Sequence, residues 1–287
     1  KKFFIKVIST YFNNLHPIIW AQILKQMINQ LFIDLPTTPE QAFQFVSKSL
    51  LLNSGPFILK ILQMIRPVLT PELATKYNLT KLTYPQLRPK EYKLILQKIM
   101  TDPKMTNVIV SKSASVGHVC IVNQADQPQK VFVVKIIKPV SIAQSCWEYK
   151  TLSGVFEKNT CEYDFVRNML ESNGKEMNIQ HEIKNIHKGY DNYHCNYSEV
   201  FKTNIKATLS TVQVLEKYTT PNCWFAFAMT LAPGVPVADL VESDLLKTDT
   251  PYRAKLHRCF DLLVYKFFLT IAKTGFYHGD LHAGNVF

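Results

Sequence analysis

The first hundred residues carry apolar positions at the spacing of amphipathic helices. Apolar side chains recur at short helical steps along two successive segments, and these are Phe4, Ile5, Ile8 and Phe12, then Ile19, Ile23, Met27 and Leu31. This periodicity predicts helices that each bury one face. Residues 37–40 (Thr-Thr-Pro-Glu) are typical of a helix start. Ser54 and Pro56 open another predicted helix, which we expect to run to about Arg66, because Pro67 disfavours helical geometry in the residue before it.

The pattern changes near Asp102, where short β-branched runs replace the helical spacing. Residues 108–110, 119–122 and 131–137 form such runs, and turn-rich stretches separate them. Runs of this length with short turns between them predict an antiparallel meander.

Helical and strand-like segments alternate after the meander. Helical patterns occupy residues 141–157 and again about 175–190. Residues 191–211 are polar and predict a loop-rich insertion, while 212–215 and 224–231 have the composition of further strands.

The last part of the chain predicts a long helix at 251–274, which Gly275 ends. The order of elements indicates an α+β fold. We therefore expect a helical N-terminal region (1–101), a β-rich region with inserted helices (102–231) and the start of a helical region (232–287).

The composition is that of a globular protein. The 287 residues are 47% apolar and 19% charged, which excludes a wholly disordered or collagen-like chain. A net charge of +11 favours anionic partners such as nucleotide phosphates or lipid headgroups. Because the lysines are scattered and form no basic stripe with aromatic platforms, we expect no specific nucleic-acid binding.

Cysteine usage and hydropathy bear on the cellular setting. The six cysteines include no C-x-x-C pair, so we interpret them as reduced thiols of an intracellular protein. The closest approach to a membrane span is the stretch 262–277, which Lys266 and Lys273 interrupt.

The sharpest chemical motif is the loop at 278–285, which reads His-Gly-Asp-Leu-His-Ala-Gly-Asn. Its spacing, H-x-D-x-x-x-x-N, places Asp280 and Asn285 in one loop after the predicted long helix. In phosphoryl transfer, an aspartate at this place orients the attacking hydroxyl or accepts its proton, and the asparagine binds a Mg²⁺ that bridges the phosphates. The spacing therefore predicts phosphoryl-transfer chemistry at these two residues.

A second motif lies in the β-rich region. Lys135 comes near the end of a predicted strand, where kinases carry a lysine that binds the α- and β-phosphates. The turn at 113–119 precedes it, and backbone N–H groups and serine hydroxyls there can cradle phosphate oxygens. The turn contains a single glycine, Gly117, so a plain hairpin turn is the better interpretation of this segment taken alone.

The segment 176–185 predicts a helix with chemistry on one face. Asn178, Glu182 and Asn185 recur at the spacing of that face. A glutamate on such a helix can pair with the strand lysine of a kinase. A solvated amphipathic helix gives the same pattern.

Lys60 and Gln63 share one face of the helix predicted to open at Pro56. By themselves they are typical of a solvated polar stripe. They gain weight because they precede the β-rich region and its lysine along the chain.

Taken in order, these segments resemble the UbiB-type atypical kinase family, whose protein-kinase-like members are linked to ubiquinone biosynthesis. The family carries K-x-G-Q on an N-terminal helical extension, an alanine- and serine-rich loop, a strand lysine, an E-x-D-x-x-x-E-x-x-N helix and an H-x-D-P-H-P-G-N loop. The matching segments are 60–63, 113–119, Lys135, 176–185 and 278–285. The resemblance covers roughly residues 55–287. It implies a protein-kinase-like fold with a helical extension, a β-rich N-lobe and an incomplete helical C-lobe.

The resemblance also implies catalytic and nucleotide-binding roles. Lys135 would bind the nucleotide phosphates and pair with Glu182, Asp280 would be the catalytic-loop aspartate, and Asn285 would be a Mg²⁺ ligand. The loop that would cover the phosphates consists of Ser113, Ala114, Ser115, Val116 and Gly117.

A regulatory contact is implied as well. Lys60 and Gln63 would lie across the mouth of the site and meet Glu176 and Asn178. The implied activity is binding of ATP or ADP with Mg²⁺, followed by ATP hydrolysis or phosphorylation of a small or lipid-associated substrate, in ubiquinone or lipid metabolism. The resemblance implies a mitochondrial or membrane-associated location, and the basic charge with apolar N-terminal helices favours a peripheral membrane contact.

The chain departs from the family pattern at several positions. Leu62 replaces the glycine of K-x-G-Q, Asn178 replaces the aspartate of E-x-D, and Leu281 and Ala283 replace the two prolines of the catalytic loop. The sequence ends at Phe287, before the D-F-G-type aspartate that would hold the main Mg²⁺. We therefore expect weak or no catalysis from these residues alone.

Two other classes of protein share parts of this pattern. Small-molecule kinases of the aminoglycoside or choline type also carry H-G-D-x-x-x-x-N, but they lack the K-x-G-Q helix. Leu62 and Asn178 favour a non-catalytic pseudokinase scaffold or assembly protein. The intact set of Lys135, Glu182, Asp280 and Asn285 favours an enzyme instead.

Overall fold

The chain combines helices with a four-stranded antiparallel sheet, and the predicted α+β class is confirmed. The computed structural model describes residues 2–32, 35–65, 70, 72, 87–101, 107–114, 116–124, 127–204, 206–220, 223–242, 250–279 and 281–287. The helices are α1 (Lys2–Asn13), α2 (Pro17–Leu31), α3 (Pro39–Asn53), α4 (Pro56–Ile65), α5 (Pro89–Ile99), α6 (Pro139–Leu152), α7 (Cys161–Glu176), α8 (Ile179–Tyr193), α9 (Tyr197–Phe201), α10 (Val237–Glu242) and α11 (Thr250–Thr274). The strands are β1 (Asn107–Ser113), β2 (Gly117–Gln124), β3 (Gln127–Ile137), β4 (Cys195–Asn196), β5 (Thr208–Leu209) and β6 (Ala226–Thr230).

The N-terminal helices begin where local sequence chemistry predicts. Thr38 caps α3, because its hydroxyl accepts a hydrogen bond from the Gln41 N–H at 3.2 Å while the Gln41 side chain accepts from the Thr38 N–H at 3.3 Å. This capping box satisfies N–H groups that have no partner inside the helix. The next helix, α4, begins at Pro56 and ends at Ile65. The predicted stop at Pro67 lies outside the described residues.

The N-terminal helices share a core with helices that follow the sheet in sequence. This core contains Val7, Tyr11, Ile19, Ile23, Phe57, Ile58, Ile61, Leu152, Val166 and Leu170. The members come from α1, α2, α4, α6 and α7. The regions predicted at 1–101 and 102–231 are therefore packed together through buried apolar side chains.

The sheet has the strand order β1-β2-β3-β6, and the predicted meander is confirmed. Side chains alternate between its two faces. Phe132, Val134 and Ile136 of β3 pack in a cluster with α5, whereas Ile137 packs with α8. Lys135 shares the face of Ile137, so the alternation directs it toward α8.

One predicted strand is wrong. Within residues 212–215 the structure has an isolated bridge, between Val214 and Met229, instead of a strand. The other predicted strand, at 224–231, is present as the shorter β6. The bridge places Val214 next to β6 on the side away from β3.

The helix predicted at about 175–190 is present as α8, but it begins later than predicted because the chain breaks between two helices just before it. Glu176 ends α7, which the sequence pattern did not reveal, and α8 begins at Ile179. Asn178 is the N-cap of α8, and its side chain accepts from the His181 N–H at 3.2 Å. Asn178 therefore does not extend the helix face of Glu182.

The segment after α8 is more ordered than the predicted loop-rich insertion. It contains α9 and a two-stranded sheet of β4 and β5. The predicted long helix is confirmed as α11, and it stops at Gly275, whose φ of +68° favours glycine.

All six cysteines are free, as the sequence interpretation expects. Among the described residues, no single helix is long and apolar enough to cross a bilayer. The pair formed by α3 and α4, which are bent by 119° relative to each other, reaches the required length and composition only when taken together.

Candidate nucleotide site

An ion pair between a strand and a helix forms the centre of the candidate site. The Lys135 ammonium donates to Oε1 of Glu182 at 2.5 Å. Antiparallel pairing sets Lys135 opposite Val119 of β2 and Phe227 of β6, and Glu182 lies in the first turn of α8. The two side chains are 24% and 27% exposed, so a ligand can reach the pair from solvent.

The hairpin loop (residues 113–117) lies beside the lysine. The Ala114 N–H donates to the Gly117 carbonyl at 2.9 Å and closes the turn. A Cβ added at Gly117 would lie 3.5 Å from Cε of Lys135, so the loop backbone passes close to the lysine side chain. Ser115 lies outside the described residues.

A second lysine holds the hairpin loop, and the sequence analysis missed it. Lys138 follows β3 directly, and its ammonium donates to the Ala114 carbonyl at 2.8 Å while its N–H donates to the Val116 carbonyl at 3.0 Å. Burial lowers the pKa of the Lys138 ammonium to about 8. Its position three residues after Lys135 was visible in the sequence, but its burial was not.

A buried histidine engages the first serine of the loop. Nδ1 of His118 lies 2.8 Å from Oγ of Ser113, and the two residues are register partners. The ring stacks on Tyr92 with centroids 5.2 Å apart. Burial, and then the charge of Lys138, lower the pKa of the His118 imidazole. Since the Ser113 hydroxyl is bonded to this ring, backbone N–H groups are the better candidates for binding phosphate.

A second ion pair joins the N-terminal helices to the same region. Lys60 of α4 donates to the carboxylate of Glu176, and their side chains are 30% and 38% exposed. Because Glu176 ends α7 just before α8 begins, this pair adjoins the helix that carries Glu182. Gln63 is half-buried on α4, and the Asn178 side chain caps α8.

A buried carboxyl group fixes the start of α4, and sequence reasoning did not find it. Glu148 of α6 is fully buried, and both of its oxygens lie 3.1 Å from the backbone nitrogen of Phe57, whose N–H donates to them. The Tyr11 hydroxyl also bonds to the carboxyl group and accepts from the Gly55 N–H at 2.8 Å. Burial raises the pKa of Glu148 to about 8, against the opposing effect of these hydrogen bonds.

The C-terminal loop (residues 278–285) is largely exposed. Its end forms a short 3-10 turn in which the Asn285 N–H donates to the His282 carbonyl at 2.9 Å. The Val237 N–H donates to the Val286 carbonyl at 2.8 Å and so ties the loop to α10. Asp280, the predicted catalytic residue, lies outside the described residues.

The described residues offer a limited set of candidate metal ligands. Within that part of the chain, no group of three or more His, Cys, Asp or Glu side chains could hold a metal ion. Asn285 is exposed, and its amide oxygen is a hard ligand of the type that Mg²⁺ accepts.

Comparison with known proteins relates the chain to a viral protein. The chain is 50% identical over all 287 residues to an uncharacterized protein of Acanthamoeba polyphaga mimivirus. It spans 38% of the length of that protein. No protein-family model matches the chain.

Proposed function

We propose that the chain is the nucleotide-binding part of an atypical kinase or ATPase of the UbiB type. The observation that carries the proposal is the 2.5 Å pair of Lys135 and Glu182 beside the hairpin loop. A strand lysine paired with a helical glutamate is the arrangement that positions the phosphates of ATP in kinases.

The arrangement of elements supports this proposal. The small lobe of a kinase needs an antiparallel sheet, a hairpin that covers the phosphates and a helix packed on the lysine-bearing strand. Here β1 to β3 supply the first two, and α8 packs on β3 through Ile179 and Ile137. Two lysines, Lys135 and Lys138, lie next to the hairpin loop and favour an anionic ligand there.

In the proposed reaction, Lys135 binds the phosphates and Glu182 orients the lysine. An acceptor oxygen from water or a substrate hydroxyl attacks the γ-phosphorus, and Asp280 accepts its proton. The bond from the γ-phosphorus to the bridging oxygen breaks, and ADP leaves with the electron pair. Asn285 would hold Mg²⁺, which neutralises charge on the phosphates when bound.

We propose a small or lipid-associated phosphate acceptor. The pair of Lys60 and Glu176 supports this choice, because it brings α4 against the end of α7, next to the start of the helix that carries Glu182, and leaves less room for a docked peptide. A link to ubiquinone or lipid metabolism, in a mitochondrial or membrane-associated setting, belongs to the same proposal.

A thermal-shift titration with Mg²⁺-ATP and Mg²⁺-ADP on the full-length protein tests nucleotide binding. A nucleotide at about 100 times its Kd stabilises by roughly 2.7 kcal/mol, which raises the Tm by several degrees. Lys135→Ala should weaken binding by at least about tenfold, because it removes a charged hydrogen-bond donor. Lys112→Ala, which changes an exposed lysine of β1, is the matched control.

The same titration separates the alternatives. Binding that Lys135→Ala abolishes, together with ATP turnover that Asp280→Asn abolishes, supports an enzyme. Binding without turnover favours a pseudokinase scaffold. No shift with either nucleotide contradicts the proposal and directs attention to a protein partner. A small-molecule kinase is favoured if turnover depends on an added small amine or hydroxyl compound and Lys60→Ala leaves that turnover unchanged.

A peripheral membrane contact is part of the proposal, and α2 supplies its surface. Trp20, Leu24, Ile28 and Phe32 recur at steps of four and are 39%, 51%, 52% and 85% exposed. Residues 2–32 contain lysines and no acidic side chain, which suits an anionic bilayer. Sedimentation with anionic vesicles at low salt tests this contact, and Leu24→Ser with Ile28→Ser should release the protein.

A further inference from the structure

Glu148 is the most deeply buried acidic side chain among the described residues, and it has no cationic partner in its hydrogen-bond set. Its carboxyl group bonds to the Phe57 N–H and to the Tyr11 hydroxyl, which in turn accepts from the Gly55 N–H. We call Tyr11, Gly55, Phe57 and Glu148 the Glu148 cluster. Its members come from α1, the start of α4 and α6, so it joins three separate parts of the chain.

The cluster determines where α4 begins. The first N–H groups of a helix have no partner inside the helix, so they need a hydrogen-bond acceptor from elsewhere in the chain. Glu148 satisfies one such group, at Phe57. A Cβ at Gly55 would lie 2.2 Å from Oε1 of Glu148, so the chain can approach the carboxyl group only with a glycine there.

The position of α4 in turn places Lys60. Lys60 lies three residues beyond Phe57, which is about 4.5 Å further along the helix axis. From there it pairs with Glu176, and two residues later Asn178 caps the helix that carries Glu182.

The two halves of this connection differ in strength. The Lys60–Glu176 pair is about one-third exposed, and solvent-exposed ion pairs contribute little to stability. A buried carboxyl group with satisfied partners costs more to disrupt, since each buried N–H or hydroxyl left unpaired loses its hydrogen bond without regaining one from water. The exposed pair alone is therefore too weak to set the position of α4, whereas the Glu148 cluster is strong enough.

A closed path of contacts follows from these positions. Lys135 lies two residues before the end of β3, and α6, which carries Glu148, begins at Pro139. Glu148 holds α4, Lys60 on α4 holds Glu176, and the helix that follows returns to Lys135 through Glu182.

We propose that Glu148 is a positioning residue that couples the N-terminal helices to the Lys135–Glu182 pair, by holding α4 where Lys60 meets Glu176. This inference concerns regulation of the proposed nucleotide site and therefore rests on the proposed function. A purely structural Glu148 would instead lower stability everywhere without a specific effect on α8.

Hydrogen exchange of the nucleotide-free protein tests the coupling without relying on any ligand. In Glu148→Ala we expect amide exchange to accelerate about tenfold in α4 and also in α8, with β2 and β3 unchanged. Lys60→Ala should accelerate amide exchange in α8 but not in α4. In the double variant, α8 should exchange no faster than in Glu148→Ala, because both changes break one path.

Matched variants separate positioning from loss of structure. Glu148→Gln keeps an acceptor for the Phe57 N–H and should restore slow exchange in α8. Glu157→Gln, which changes an exposed acid between α6 and α7, is the control and should change nothing. If Glu148→Ala does not fold, Tyr11→Phe removes a single hydroxyl from the cluster and should give the same pattern at smaller amplitude. Acceleration confined to α4, or equal acceleration throughout the chain, overturns the coupling.

A nucleotide titration then distinguishes this inference from the proposed function. If the wild type binds nucleotide, Glu148→Ala should weaken binding about tenfold, and Glu148→Gln should retain it. Unchanged affinity in Glu148→Ala contradicts a role of the cluster at the site. If the wild type itself binds no nucleotide, the proposed function fails, and the exchange data alone decide whether the cluster couples α4 to α8.

Discussion

Glu148 and Glu182 are carboxyl groups near the starts of helices, yet they occupy opposite environments. Glu148 is fully buried and bonds only to uncharged groups, whereas Glu182 is 27% exposed and pairs with the Lys135 ammonium. A buried, satisfied carboxyl group is costly to disturb and holds helices in place. A partly exposed pair contributes little to stability and stays open to a ligand. The comparison separates residues that position the site from residues that can contact a substrate.

The largest expected effect is a substitution at the closest approach to Glu148. Gly55→Ala places a Cβ 2.2 Å from Oε1 of the buried carboxyl group, so α4 or α6 must shift. We expect a loss of about 3 kcal/mol in the free energy of unfolding, measured by urea denaturation. Gly174→Ala, at a helical glycine where an added Cβ meets nothing within 4 Å, is the control. Equal stability of the two variants would contradict the tight packing of the Glu148 cluster.

The second effect is a dependence of stability on pH. Burial raises the folded-state pKa of Glu148 from the ordinary value of 4.5 to about 8. The folded protein therefore holds a proton that the unfolded chain has lost, and stability falls as pH rises between these two values. Tyr11, which faces the same carboxyl group, has a raised pKa and stays protonated over this range.

The variant Glu148→Gln isolates this contribution. It cannot lose the proton, so its stability should fall less than that of the wild type between pH 5 and pH 8, in denaturation curves at both values. Parallel pH profiles for the two proteins would show that Glu148 is ionised throughout. In that case Glu148 would be a buried carboxylate whose charge is stabilised by hydrogen bonds.

A smaller loss is expected when one hydroxyl leaves the Glu148 cluster. Tyr11→Phe deletes the group that accepts from the Gly55 N–H and bonds to Glu148. Because a buried N–H then lacks this partner, we expect a loss of about 1–2 kcal/mol, measured by thermal denaturation. Tyr149→Phe, on the exposed part of α6, serves as the control. A loss below about 0.5 kcal/mol would mean that the hydroxyl contributes no net hydrogen-bond stability.

The smallest stability effect is expected at the two partly exposed ion pairs. Lys135→Ala and Lys60→Ala should each change the free energy of unfolding by about 0–1 kcal/mol. Lys135→Ala should nevertheless remove most nucleotide binding, measured by calorimetric titration. A large loss of stability with unchanged nucleotide binding would reverse the comparison and make Lys135 a structural residue.

Helix starts and strands could be predicted from local sequence because neighbouring residues determine them. The capping box at Thr38 and the positive φ of Gly275 depend on the conformation of a few neighbouring residues. The break between α7 and α8 was missed because the polar surface of α7 masks its periodicity, although the capping asparagine Asn178 was visible. The isolated bridge at Val214 could not be told from a strand, since bridging depends on how far the chain follows β6.

The sequence by itself determined the α+β class, the meander, the long C-terminal helix and which residue types could carry phosphoryl-transfer chemistry. The family resemblance implied that Lys60 meets Glu176 and that Lys135 meets Glu182, but only the tertiary structure brings these pairs together, across 116 and 47 positions. The tertiary structure also decided that Glu148 and Lys138 are buried. Burial and pairing are properties of segments brought together by packing, and local periodicity carries no information about the partner. Single residue types therefore indicate the chemistry of the site, whereas the packing of helices distant in sequence sets its geometry.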